Sequence, residues 1–152
     1  MEGTSLMFRK ILNLLCLSNK EKFFLVEAYV LLAWARYRKG KKFSAISPGL
    51  GSRMKETGFH IRDRDIEIVK LISYSIHVAS RYTFWESKCL VKAMAGMKML
   101  ERRGIESTIY LGIAKDEQGL KAHAWLRSGD FYISGAEEME NYTVVEKFAK
   151  FI

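Results

Sequence analysis

The sequence is poor in cysteine and proline, and each scarcity excludes a class of protein. Only two cysteines, Cys16 and Cys89, occur among 152 residues, too few for the disulfide framework of a small secreted domain. Unpaired thiols persist in a reducing compartment, where they are available for chemistry. The single proline, Pro48, and the lack of low-complexity segments argue against a disordered chain. We therefore expect a folded protein of a reducing compartment.

Long hydrophobic runs are also missing. The apolar stretch from Phe23 to Trp34 is interrupted by Glu27, and it is shorter than the ~20 residues that span a bilayer. The first residues carry Glu2 and no positive cluster, unlike a signal peptide. We expect no integral membrane segment and a cytoplasmic location.

The sequence shows no signature of a bound cofactor. Its cysteines and histidines lack metal-ligand spacing, and no Walker-type phosphate loop is present. Gly49-Leu50-Gly51 follows no convincing strand, which makes it a weak nucleotide signal. We expect neither a metal nor a cofactor.

Positive charge is in excess, with a formal net charge of +8. A basic surface can aid solubility, or it can bind nucleic acid, anionic lipid or an acidic peptide. Zinc-finger, basic-zipper and RNA-binding aromatic signatures are missing from the sequence. We therefore expect no nucleic-acid partner.

Hydrophobic periodicity predicts an α+β protein with helices first and a small antiparallel sheet after them, in one domain over residues 1–152. Helices are predicted over about 20–38, from Asp63 or Asp65 to about 82, and from about 90 to Gly104. Residues 43–59 are expected to form a loop or short turns. Strands are predicted over 107–113, 122–126 and 131–134, and a last strand or short helix over 142–148. Apolar positions surround the first helix, which predicts burial on more than one face.

Cys89 is predicted to lie where a loop meets the start of the third helix. The first turn of a helix presents free backbone N–H groups and the positive end of the helix dipole. Both favour a thiolate, the nucleophilic form of cysteine, and the same N–H groups can stabilise an oxyanion. Lys88 adds a neighbouring positive charge. A buried, unreactive cysteine is the alternative.

His123 lies in a predicted strand between two small residues, Ala122 and Ala124. Small neighbours let another element approach the imidazole closely. A strand histidine that faces a cysteine at a helix start is the arrangement of papain-like enzymes. A structural role is the alternative for His123, and we expect such a role for His60 and His77.

A third group is expected to orient His123. A turn at Ser128-Gly129 would pair residue 127 with residue 130 and place Ser134 opposite His123. The nearest acids are Asp130, Glu137 and Glu138, and they are the candidates for the third member.

Four sequence blocks occur in order with compatible spacing, and together they resemble the lasso-peptide maturation proteases, which are transglutaminase-like proteins that remove the leader from a lasso-peptide precursor. The resemblance covers about residues 21 to 148. The blocks are Trp85-Glu86-Ser87-Lys88-Cys89-Leu90, Arg103-Gly104-Ile105, Leu111-Gly112 and Ala122-His123-Ala124-Trp125.

The resemblance implies a papain/transglutaminase-like fold in which Cys89 is the nucleophile and His123 the general base. The family places an aspartate about where Gly135 stands here. Asp130, Glu137 or Glu138 would then replace it, or a backbone carbonyl or a water would orient His123. Trp85 is expected to shape the pocket, with a structural aromatic role as its alternative.

The resemblance also implies partners. The first twenty residues are too few for a fused leader-recognition domain, so a separate leader-recognition protein is expected. The precursor peptide would be the substrate, and a lasso cyclase would act downstream.

Three other functions stay open at this point. The same residues could serve another acyl transfer, such as transglutamination or deamidation. The chain could be a non-catalytic peptide-binding module with a buried Cys89. It could also be a basic RNA- or membrane-binding protein, whose binding would weaken steeply with salt.

Overall fold

The helical elements of the protein come first along the chain. A computed structural model describes residues 2–152, without the Glu2 side chain, so Met1 of the predicted domain lies outside the described residues. The helices are α1 (Glu2–Leu15), α2 (Asn19–Lys39), α3 (Phe43–Ile46), α4 (Asp63–Ser80) and α5 (Cys89–Glu101), and short 3-10 turns cover Ser47–Leu50 and Ala136–Asn141.

Five strands form one antiparallel sheet, which confirms the α+β class. The strands are β1 (Ser52–Arg53), β2 (Ser107–Asp116), β3 (Gly119–Ser128), β4 (Phe131–Ser134) and β5 (Thr143–Lys150). Their order in the sheet is β1-β5-β2-β3-β4. The segment at 142–148, predicted as strand or helix, is therefore a strand that pairs with β2.

Helix α2 begins and ends where the sequence predicts. The Ser18 hydroxyl accepts a hydrogen bond from the Glu21 amide (3.2 Å), and the Glu21 carboxylate accepts one from the Ser18 amide (2.8 Å). This capping box satisfies two N-terminal donors, and Gly40 ends the helix. The prediction of burial on several faces is wrong. One face packs inside, while Phe23, Val26 and Val30 are exposed, because no other described element covers that side.

The core lies between the helices and one face of the sheet. Helix α5 contributes eight buried positions, and it packs against α2, α4 and the inner face of the sheet. That inner face carries Ile109, Leu126 and Phe148, which are at most 1% exposed. Burial of this apolar surface is the main stabilising contribution to the fold.

The predicted register of the β3–β4 hairpin is wrong. Ser128 pairs with Phe131, and the register shifts between Leu126 and Arg127, so that Ser134 lies opposite Leu126 rather than His123. The reason is a turn one residue later than expected, together with a β-bulge, each of which displaces the partner strand. Residues 43–59 also hold more structure than short turns, because β1 pairs with β5.

Candidate active site

Cys89 is the first residue of α5, as the sequence predicts, and it is half-buried against the core. Lys88 precedes it and provides no side-chain cap within the described chain. The nearby Ser87 hydroxyl bonds to the Thr83 hydroxyl instead (2.8 Å). The N–H groups of the first turn therefore have neither an intrahelical partner nor a capping side chain. In contrast to the start of α2, this helix end leaves its donors free for an anion.

A charged pair stands beside Cys89. The Lys88 ammonium lies 2.5 Å from a Glu86 carboxylate oxygen. This hydrogen bond raises the pKa of Lys88 and lowers the pKa of Glu86. The Glu86 carboxylate therefore compensates the charge of Lys88 next to Cys89, and solvent screens both groups.

His123 lies on β3, and two aromatic rings and a backbone carbonyl hold its imidazole. Its ring centroid is 5.8 Å from that of Trp125 and 4.9 Å from that of Tyr142. Its Nε2 lies 2.7 Å from the carbonyl oxygen of Gly135. A carbonyl can only accept, so Nε2 carries the proton, and Nδ1 of the neutral ring keeps a free lone pair.

Gly135 brings its carbonyl to His123 through a backbone conformation that disfavours side chains. Its φ is 79°, in the left-handed region. A Cβ built on Gly135 would lie 2.4 Å from the Ala124 carbonyl oxygen and 2.9 Å from the Trp125 Cβ. The position that the resemblance assigns to an aspartate therefore has no room for one.

Gly112 is the second glycine at the site where a side chain would collide with its neighbours. It pairs with His123 across β2 and β3, and a Cβ there would lie 2.9 Å from the Trp125 ring and 2.9 Å from the Tyr142 Cβ. The missing side chain lets both rings close around the imidazole. The sequence signal for this role is a glycine inside a strand.

Cys89 and His123 line the same cavity, whose volume is about 660 Å³. Within residues 2–152 the two side chains do not hydrogen bond each other, and the described hydrogen bond of the His123 ring goes to Gly135. The wall is mainly apolar, with three charged residues around it. The apolar lining includes Phe43, Leu90, Leu111, Ile113 and Val145, and the charged lining is Lys39, Lys88 and Glu146.

The three acids predicted as third member lie elsewhere. Asp130 is in the β3–β4 turn, and Glu137 and Glu138 are in the 3-10 turn after Gly135. A Glu137 oxygen is 3.8 Å from His77 Nε2. In the described part of the chain none of the three bonds to His123, and their catalytic role stays a prediction.

Trp85 packs outside the cavity. Its ring makes edge contacts with Tyr29 (5.1 Å between centroids) and Phe84 (4.7 Å). Trp85 thus supports the loop that leads into α5, and its predicted pocket role stays untested. Among the other histidines, His77 bonds through Nδ1 to the Ser73 carbonyl oxygen (2.8 Å).

Three side chains support His123 on the face of the sheet that they share with it: Trp125, Tyr110 and Arg127. Trp125 stacks on Tyr110 with 5.6 Å between centroids, and the Tyr110 hydroxyl bonds to Glu56 and to Arg127. Burial, followed by the bond to Glu56, raises the pKa of Tyr110 to about 12. Arg127 is 1% exposed. Sequence reasoning missed this network because its members are far apart along the chain.

One comparison with known proteins identifies a family. The family described as "Transglutaminase-like superfamily" matches residues 28–147, which is more than half of the chain and includes both Cys89 and His123. No curated protein and no solved structure matches the chain significantly. Within residues 2–152, no helix is both long enough and apolar enough to cross a membrane.

Proposed function

The chain belongs to the transglutaminase-like superfamily, and from that premise we propose that it is a cysteine peptidase that removes the leader peptide from a lasso-peptide precursor. The superfamily includes cysteine peptidases and acyltransferases, which supports a cysteine-based acyl-transfer reaction. The finer assignment is supported by the ordered sequence blocks around Cys89, Gly112 and His123. The observation that carries it is the cavity that Cys89, at an uncapped helix start, shares with His123.

The proposed reaction begins with proton transfer from the Cys89 thiol to Nδ1 of His123. The thiolate attacks the carbonyl carbon at the leader–core junction. The Cys89 N–H and a second donor stabilise the oxyanion. His123 then protonates the departing core amine, the leader remains as a thioester, and water releases it as a carboxylate.

The Gly135 carbonyl acts as the orienting group in this proposal. It holds the tautomer with Nε2 protonated, as a carboxylate would, but it contributes no negative charge to an imidazolium. The stacked ring of Trp125 and the tilted ring of Tyr142 restrict the imidazole further. His123 therefore needs no carboxylate for its orientation.

The cavity suits an extended peptide segment. Its apolar wall can hold side chains next to the scissile bond, and Lys39 can attract a carboxylate at its rim. A separate leader-recognition protein would deliver the precursor, and a lasso cyclase would use the freed amine. The protein would act in the cytoplasm.

The test is mass spectrometry of a candidate precursor peptide, sought among genes near that of this protein, incubated with the protein and a candidate leader-recognition protein. Cys89→Ala and His123→Ala should each abolish cleavage at one bond. Cys16→Ala is the matched control, because Cys16 is exposed and lies outside the cavity; it should cleave like wild type.

The reaction products distinguish the proposed hydrolysis from another acyl transfer. Hydrolysis yields two fragments, whereas transfer to an amine yields a cross-link and deamidation changes mass by about one unit without chain cleavage. Cleavage that persists in Cys89→Ala would exclude this nucleophile. No cleavage by wild type with its partner would favour a peptide-binding module.

A further inference from the structure

The outer face of α2 carries an exposed apolar stripe. Its members recur at spacings of three and four residues, so they lie along one side of the helix. Their exposed fractions run from 38% to 69%. The stripe consists of Phe23, Val26, Val30, Trp34 and Tyr37.

Helix α1 extends this apolar surface. At 100° per residue, six apolar side chains of α1 form an arc roughly 160° wide, with Leu14 at one edge and Leu12 at the other. Leu6, which is also exposed, lies outside this arc. Every residue from 3 to 15 is exposed. Leu14, at one edge of the arc, lines a groove together with Val26 and Val30. The arc consists of Met7, Phe8, Ile11, Leu12, Leu14 and Leu15.

An exposed helix of this length is marginal in water. Isolated helices shorter than ~12–15 residues have little stability of their own, and α1 has 14 residues. Contiguous apolar patches on soluble proteins mark interaction sites. A surface that covers the arc would therefore stabilise α1 as well as the stripe.

Among the side chains of residues 3–39, the charged groups that border the arc and the stripe are cations. Arg9 and Lys10 lie on opposite sides of the α1 arc, and residues 3–20 contain no acid. On α2, Arg38 stands over the Trp34 ring, 6.0 Å from its centroid. Glu27 is 7% exposed and paired with Arg103, so it offers no charge to this face.

We propose that α1 and the outer stripe of α2 form a peripheral binding surface for anionic lipid bilayers. An amphipathic helix with cations beside a wide apolar arc lies in the interface, with its apolar side toward the acyl chains. The cations meet anionic headgroups, and Trp34 and Tyr37 are residue types that favour the interface.

Charge favours a bilayer over a second copy of this chain. A symmetric dimer through the same surface would bring one basic border against another, which like charges oppose. A bilayer supplies an apolar layer and negative charge together. This inference does not depend on the proposed peptidase activity.

Vesicle co-sedimentation tests the proposal with the full chain. We expect binding to vesicles of equal phosphatidylcholine and phosphatidylglycerol, and much weaker binding to phosphatidylcholine alone. Arg9→Gln combined with Lys10→Gln should lower the affinity about 25-fold, from roughly fivefold per cation at a bilayer surface. The matched control is Lys55→Gln with Lys115→Gln, which removes two exposed cations elsewhere and should change affinity much less.

Apolar contacts are tested in the same assay. Leu12→Asp and Val30→Asp should each weaken binding roughly tenfold or more. Leu120→Asp places the same charge at a residue that is 71% exposed on the β2–β3 hairpin, and it should bind like wild type. Vesicles should also shift the fluorescence of wild type to the blue, and Trp34→Phe should remove most of that shift.

Three results would overturn the proposal. One is no binding of wild type to anionic vesicles. Another is equal affinity for the surface variants and their controls, which would indicate general attraction to the net charge. The third is a dimer in sedimentation velocity that Val30→Asp dissociates, since a second copy would then cover the stripe.

Discussion

Replacing Gly135 with alanine is the sharpest test of how His123 is oriented. The new Cβ would lie 2.4 Å from the Ala124 carbonyl oxygen, and the backbone φ of 79° would place a non-glycine residue in the left-handed region. The conformation costs about 1–2 kcal/mol, and the overlap costs about 1–3 kcal/mol more. We expect the segment to shift and its carbonyl to leave Nε2 of His123.

The expected result is a loss of activity as well as of stability. Loss of the orienting partner should lower kcat/KM for precursor cleavage by roughly 10²- to 10³-fold, which is less than the roughly 10⁴-fold cost of a wrong tautomer in a serine protease triad. Gly135→Asp should not restore activity, since its Cβ meets the same atoms. Cleavage rates are measured by chromatography, and unfolding by urea titration.

Gly129→Ala provides the matched control. Gly129 also has a positive φ, 58°, and its Cβ would lie 2.8 Å from the Ile61 Cβ. Its carbonyl accepts a hydrogen bond from Arg127, but it does not contact His123 or Gly135. It should lose comparable stability and keep its activity per folded molecule. Wild-type activity in Gly135→Ala, or an equal loss in both variants, would refute the positioning role of the Gly135 carbonyl.

Three further outcomes are expected. Iodoacetamide should label Cys89 faster than Cys16 at neutral pH although Cys16 is the more exposed, because the uncapped helix start and His123 in the same cavity can assist attack by the Cys89 sulfur; slower labelling of Cys89, read by peptide mass mapping, would contradict this. The pKa of Tyr110 is raised to about 12, by burial and then by a carboxylate partner, so the unfolded chain loses this proton first and the free energy of unfolding should fall between about pH 10 and pH 12. Tyr110→Phe should remove that part of the decline in alkaline urea titrations. Glu27→Ala should cost about 3–5 kcal/mol of stability in the same titrations at neutral pH, since it leaves Arg103 half-buried without its partner; a cost below about 1 kcal/mol would contradict this.

Local patterns predicted most of the secondary structure. The start of α2 follows from Ser18 and Glu21, whose capping interaction spans three residues and needs no distant partner. The position of Cys89 at the start of α5 follows from the loop before it and the apolar period after it. Helix α1 was not predicted, although its apolar residues from Met7 to Leu15 recur at helical spacing.

The sequence patterns did not predict the contacts between segments that are distant along the chain. The β3–β4 register depends on a bulge at Leu126 and Arg127, and one such shift changes which residue faces His123. The pairing of β1 with β5 and the bonds from Arg127 to residues near 56 join segments far apart along the chain. Propensity and periodicity carry no information about such pairs.

Residues within a turn or two of one another suffice to predict the α+β class, the helix start at Cys89 and the strand that carries His123. Packing between separate elements brings both side chains to one cavity and a glycine carbonyl to the imidazole. It also decided that one face of α2 stays exposed. The physical reason is that each of these features depends on how separate elements pack, which no local pattern encodes.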